Sequence, residues 1–195
     1  AVGVAKDFAA KNGETLIVVT ADQETGGMYL SGGNIEQKKV TAGFNEKGGH
    51  SGIDINLGRG NSNLVLFRLL WKAERSAGLR LCEVEGGNMR NAIPREAHAV
   101  VVVPDNSEKA FLELVREYAS VVSNELAATE PGLKIEASKT ELPSRVMQAD
   151  FQKRLIASVY SCPNGAIRMT DGIPGLVETS TNLASVKTEE QKLMV

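Results

Sequence analysis

The sequence predicts an α+β fold, an antiparallel sheet with helices packed on one face, preceded by an N-terminal helix–strand–loop segment. Three observations lead there. From residue 50 onward, strand-like and helix-like stretches follow one another in turn. The strand-like ones, such as residues 97–103, are short and rich in β-branched residues. The helix-like ones repeat apolar residues every three or four positions, which puts them on one face for packing against a sheet. A composition of 42% hydrophobic and 24% charged residues suits a chain that buries a core. That fold carries many activities, so function has to be read from particular residues.

Taken in order, residues 1–12 set Val2, Val4, Ala5, Phe8 and Ala9 at helical spacing, and Asn12-Gly13 stops that helix. Residues 16–20 (LIVVT) read as a buried strand, residues 26–33 as a Gly-rich loop, and residues 39–42 as a weak second strand. Residues 53–57 (IDINL) alternate as a strand does, and Gly58-Arg59-Gly60-Asn61 is a turn. Asn61 or Ser62 then caps a helix to Ala77, with Leu66, Leu69, Leu70 and Ala73 on one face and Gly78 as its stop. Strands follow at 79–85 and 97–103, separated by Gly86-Gly87. Asp105 or Ser107 caps a long helix whose inward face is Ala110, Phe111, Leu114, Tyr118, Val121 and Val122, ended by Pro131-Gly132. Residues 133–140 alternate again. Pro143-Ser144 leads into a third helix reaching Tyr160, and strands at 165–169 and 175–186 close the chain.

Composition also excludes. A net charge of −2 with no basic stripe argues against nucleic-acid binding through phosphate neutralisation. No run of about 18 apolar residues is available to span a membrane, and the first residues lack the pattern of a signal peptide. A cytoplasmic location is the expectation. The absence of an initiator Met suggests a fragment of a longer protein. Cys82 and Cys162 have neither CxxC nor finger spacing and read as reduced packing residues.

Two segments hold candidate chemistry. In GGHSGIDINLGRGN, glycines on both sides of His50 allow a tight turn that brings the imidazole to an exposed edge. There it can donate to a developing oxyanion or ligate a metal, or simply be a satisfied surface histidine. In EGGNMRNAIPRE, Arg90 and Arg95 are placed to clamp a carboxylate and Asn91 to bond a peptide carbonyl. The alternative is a solvated loop whose arginines pair with Glu85 and Glu96. A third segment, residues 173–184, reads as a turn followed by a Thr-rich strand.

Together with the NGAIRM run at 164–169 and GLVETSTNLA at 175–184, these segments resemble the aminoacyl-histidine (Xaa-His) dipeptidases, also called cytosolic non-specific dipeptidases, of the M20 metallopeptidase group. The resemblance covers residues 47–195 and implies the lid, or dimerisation, domain of a two-zinc enzyme. It implies that His50 polarises the scissile carbonyl or stabilises its oxyanion, and that Asn91 contacts substrate. Arg90, Arg145 and Arg168 are the candidates for the substrate carboxylate, with Arg90 and Arg168 preferred. It also implies a homodimer, a dipeptide substrate, and a catalytic domain that supplies the zinc ligands. Only His50 and His98 are available here, too few imidazoles for a two-metal site. No bound zinc is therefore expected for the chain alone, which by itself should be inactive.

Residues 1–46 resemble something else. NGETLIVVTADQETGGMYLSGGN is similar to the alkaline phosphatase run that ends Thr-Ala-Asp-His-Glu-Thr-Gly-Gly, so Asp22 matches a zinc aspartate and is a secondary metal candidate, while Gln23 stands where a zinc histidine belongs. His50-Ser51-Gly52 also matches a later zinc motif of that family. This implies a composite chain with a seam near residue 46; a divergent dipeptidase segment is the alternative. An incomplete phosphomonoesterase and a non-catalytic interaction module are the other functional readings.

Overall fold

The computed structural model describes residues 35–44, 48–141, 143, 145–189 and 192–195. The helix, strand and loop expected in residues 1–33, together with Asp22 and Gln23, lie outside them. So does Ser144.

Strand β1 (Ile35–Gly43) is longer than the weak strand expected at 39–42 and lies inside the main sheet. It pairs antiparallel with β3 (Glu96–Pro104) on one side and with β4 (Lys134–Lys139) on the other. Adding β2 (Arg80–Gly86), β7 (Val186–Glu189) and β8 (Lys192–Met194) gives a six-stranded sheet in the order β4-β1-β3-β2-β7-β8. Every pairing in it is antiparallel. Because β1 is internal, the sheet crosses the seam expected near residue 46.

Period-2 alternation then decides what each strand buries. Val40, Ala42, Leu81, Val84, Ala97, Ala99, Val101, Val103 and Ile135 point to one face and form the core with the helices. On the other face the register sets Thr41 beside His98 and Glu136, and His98 beside Glu85. Lys38 points to the core side and is buried, and its ammonium is paired with Glu108. β2 and β3 slip register at a bulge between Leu81 and Glu83, with Arg80 and Leu81 still paired to Val102 and Val101. β7 pairs only with Glu85 and Gly86 and leaves the outer Leu79–Leu81 edge without a strand among the described residues. Gln152 covers that edge like a strand, accepting from the Leu81 N–H at 2.7 Å and donating to the Leu79 carbonyl at 2.9 Å.

Helix α1 (Ser62–Ala77) crosses the core face with Leu66, Leu69, Leu70 and Ala73 buried, as its spacing requires. The Asn61 side chain caps its N-terminus, accepting from the Leu64 N–H, and Gly78 ends it in the left-handed conformation. Helix α2 (Glu108–Glu125) begins after a single 3-10 turn at Asp105–Ser107, and no side chain caps it. Its buried stripe is Phe111, Val115, Tyr118 and Val122; Ala110 and Val121 face solvent, contrary to expectation. The true stripe follows steps of four, three and four from Phe111. Val121, three residues beyond Tyr118, falls off it. The helix stops at Glu125, six residues before Pro131. Helix α3 (Ala149–Tyr160) packs on the opposite flank of α1.

Two expected strands take other forms. Ile55–Leu57 is a 3-10 turn, because only Ile55 finds a buried site while Ile53 and Leu57 remain exposed. The stretch 175–186 divides into β6 (Val177–Thr181) and the start of β7, separated by residues 182–185. β6 pairs with β5 (Gly165–Met169) in a two-stranded hairpin outside the main sheet. Cys82 and Cys162 are free thiols, as expected, and burial pushes the Cys82 thiol up to about 12, which keeps it protonated.

Candidate functional site

At one end of the sheet the chain from Gly48 to Asp54 lies antiparallel to residues 91–93. Ser51 N–H donates to the Asn91 carbonyl at 3.0 Å, Ile93 N–H donates to the Gly49 carbonyl at 3.1 Å, and His50 bridges Ala92. This short ladder sets His50 and Asn91, both exposed, on neighbouring segments.

The histidine is held at its ring and its backbone. The imidazole Nδ1 accepts from the Gly52 N–H at 3.0 Å and more loosely from Ile53 N–H at 3.4 Å. A ring nitrogen that accepts from an amide carries no proton, so the neutral imidazole keeps its proton on Nε2. His50 backbone N–H donates to Asp54 Oδ2 at 2.8 Å, and Asp54 N–H returns a bond to the His50 carbonyl at 2.9 Å. Gly49, at φ +98°, makes this possible. A Cβ there would sit 2.7 Å from the Asp54 Cβ, so both the dihedral and the space demand glycine.

Beneath the ladder is a buried ion pair. Glu130 is 1% exposed; its Oε1 accepts from Gly60 N–H at 2.8 Å and its Oε2 from the Arg95 guanidinium. Arg95 also donates to the Gly60 carbonyl at 2.9 Å and lies over the Phe44 ring, 4.5 Å from its centroid. Arg95 is thus a structural residue. Neither the carboxylate clamp nor the pairing with Glu96 describes it.

The β5–β6 hairpin is fastened to this platform. Ser180 Oγ donates to the Ser51 carbonyl at 3.0 Å, Asn182 Nδ2 to the Ala92 carbonyl at 2.8 Å, and Asn56 Nδ2 to the Gly175 carbonyl at 3.2 Å. Behind these, Asn61 Nδ2 donates to Asn164 Oδ1 at 2.9 Å and to the Leu183 carbonyl at 3.2 Å, and Asn164 Oδ1 also accepts from Leu183 N–H. Asn63, fully buried, donates to the same Leu183 carbonyl at 3.0 Å. Sequence reasoning found Asn61 as a cap and missed the rest. The signal was there: four asparagines, at 61, 63, 164 and 182, each inside a segment singled out for other reasons or next to one.

Of the candidate substrate residues, Asn91 shares the platform with His50. Arg90 is exposed in the adjoining turn, and Arg145 is exposed ahead of α3. Arg168, on β5, is exposed and engaged with Glu178 at 3.2 Å and Asp171 at 3.5 Å. Its availability to a ligand therefore requires exchange of partners. His98 lies on the sheet face opposite the helices, 3.9 Å from Glu85. Among the described residues no three His, Cys, Asp or Glu side chains come together as metal ligands, so they do not fit a zinc site.

The chain is also similar to known proteins. Residues 37–130 match the family described as the peptidase dimerisation domain of the M20 group. The chain is 34% identical over 188 residues to the cytosol non-specific dipeptidase of Escherichia coli (strain K12), covering 88% of this chain and 39% of that protein. It is 36% identical to a solved structure, the aminoacylhistidine dipeptidase from Vibrio alginolyticus, with a TM-score of 0.80 over 86% of this chain and 34% of that one. The chain therefore spans well under half the length of either. Residues 47–195 are only about three quarters of the sequence, so the Escherichia coli similarity reaches into the first 46 residues, across the expected seam. Over residues 37–130 the chain is similar to the M20 peptidase dimerisation domain, and its fold is shared with the aminoacylhistidine dipeptidase from Vibrio alginolyticus.

Proposed function

We propose that this chain is the lid and dimerisation portion of an aminoacyl-histidine dipeptidase-type enzyme, acting from the cytoplasm on dipeptides. The observation that carries the reading is the fixed tautomer of His50: an exposed Nε2–H donor whose other nitrogen is occupied by the Gly52 amide. Such a donor suits the oxygen of a scissile carbonyl as negative charge develops on it, and it needs no proton transfer of its own. Asn91, on the adjoining segment, would hydrogen-bond the substrate amide. Arg90 is the better candidate than Arg168 for the substrate carboxylate, because Arg168 already has two acidic neighbours. Zinc and the nucleophile would come from a catalytic portion outside this chain.

Dimerisation fits the family name and the topology. Among the described residues β4 has a sheet neighbour, β1, on one side only, and its other edge is the proposed seat of a second copy.

Three measurements test the proposal. The isolated chain with added zinc should not hydrolyse a β-alanyl-histidine substrate, and robust turnover would sink the reading. In a complete enzyme containing this lid, His50→Ala should lower kcat roughly 10²–10³-fold with a smaller change in KM, as for loss of one oxyanion donor. Light scattering after size exclusion should give the mass of a dimer.

A further inference from the structure

We propose that Asp54 is the positioning residue for His50, holding the imidazole so that Nε2–H alone faces the reacting group. The inference rests on the oxyanion-donor reading of His50 and names the group that makes it possible. Asp54 brackets His50 through the backbone on both sides: its carboxylate takes the His50 N–H, and its own N–H reaches the His50 carbonyl. Those two bonds close the turn that brings the Gly52 and Ile53 amides beneath Nδ1. The carboxylate is also packed against the Gly49 backbone, where a Cβ would lie 2.8 Å from Oδ2. Asp54 also leads into the 3-10 turn: its carbonyl accepts from Leu57 N–H at 3.1 Å, although its side chain caps nothing there. The side chain of Asp54 is therefore spent on His50.

Loss of the carboxylate removes the His50 N–H bond and loosens the turn. The ring is then free to rotate and to move its proton between nitrogens. An asparagine at the same place keeps an oxygen acceptor for the His50 N–H and should preserve the geometry.

The experiment uses this chain with His98→Gln, which leaves a single imidazole. Two-bond nitrogen–proton NMR at a pH where the ring is neutral should show Nδ1 unprotonated and Nε2 protonated, with slow exchange of the Gly52 amide. Asp54→Ala should move both nitrogen signals toward the averaged positions of a free imidazole and speed Gly52 exchange at least tenfold, while the far-ultraviolet dichroism is unchanged. Asp54→Asn should restore the signature. Unaltered ring signals and Gly52 protection in Asp54→Ala would overturn the proposal. So would loss of the signature in Asp54→Asn with the fold intact. The underlying reading fails separately: it falls if His50→Ala in a complete enzyme leaves kcat unchanged, a result that says nothing about the NMR signature.

Discussion

At the scale of single residues, the site depends on groups that never touch its surface. Glu130 is buried with its charge shared between Arg95 and the Gly60 amide, and Arg95 in turn supports the Gly48 backbone, where a Cβ would meet the Arg95 side chain at 2.6 Å. Removing one partner of a buried pair leaves an uncompensated charge, which costs about 3–5 kcal/mol. Arg95→Ala should therefore lower stability by roughly that amount in urea unfolding, and part of the loss should return in Arg95→Ala/Glu130→Gln. A cost below about 1 kcal/mol would mean that the pair is solvated like a surface bridge. Arg95 and Arg90 look alike in the sequence, five positions apart in one loop. The difference is a partner that lies 35 residues further along the chain, on the turn after α2, and no local pattern reports it.

At the scale of elements, the helices were legible where apolar spacing and caps coincide. Asn61 and Gly78 bound α1 as the residue types require, and Leu66, Leu69, Leu70 and Ala73 fill the core. The sheet was legible as strands but not as an order, because the order depends on pairings between segments up to about a hundred residues apart. Alternation misled at Ile55–Leu57: period 2 describes a strand only when one face is buried, and Ile53 and Leu57 stay largely exposed. Asn61 illustrates the same limit in polar form. Its capping role was readable, whereas its bonds to Asn164 and Leu183 were not. Asn61→Ala should cost more than the roughly 1 kcal/mol of an ordinary cap, since the Asn164 and Leu183 acceptors lose a donor as well; a loss no larger than a cap's would assign the cluster no energy. The α1–α2 contact makes a different prediction. Arg68 donates two bonds to Glu125, and this hydrogen bonding holds the Glu125 carboxyl below its ordinary value of 4.5. A carboxyl lowered in the folded state contributes stability above its ordinary value and loses it as pH falls below 4.5 toward the lowered one. Both partners are substantially exposed, so the contribution is only about 0.3–1 kcal/mol. Arg68→Ala should remove that increment at pH 7 and have little effect at pH 3, a convergence that paired denaturation curves would reveal.

At the scale of the whole molecule, the described residues form two parts of unequal weight. The six-stranded sheet and three helices share one core, while the β5–β6 hairpin stands beside it with Ile167, Met169, Ile173 and Leu176 exposed. Its attachments are hydrogen bonds from Ser180, Asn182 and Asn56, together with contacts to the Ile55–Leu57 turn. An element that buries so little apolar surface contributes little to global stability, so its value lies in what it holds. It holds the back of the His50 segment through Ser51. Gly165 and Thr181 are Cα partners at its base, so residues 166–180 can be replaced by a two-residue Asn-Gly turn that leaves Asn164 and Asn182 in place. The shortened chain should keep its helical and sheet dichroism and unfold cooperatively, with a loss of about 1 kcal/mol or less. Amide exchange should accelerate in residues 51–57 while α1 and β3 stay protected. If the shortened chain loses cooperative unfolding, the hairpin belongs to the core; if residues 51–57 exchange as before, it is not what steadies the histidine segment.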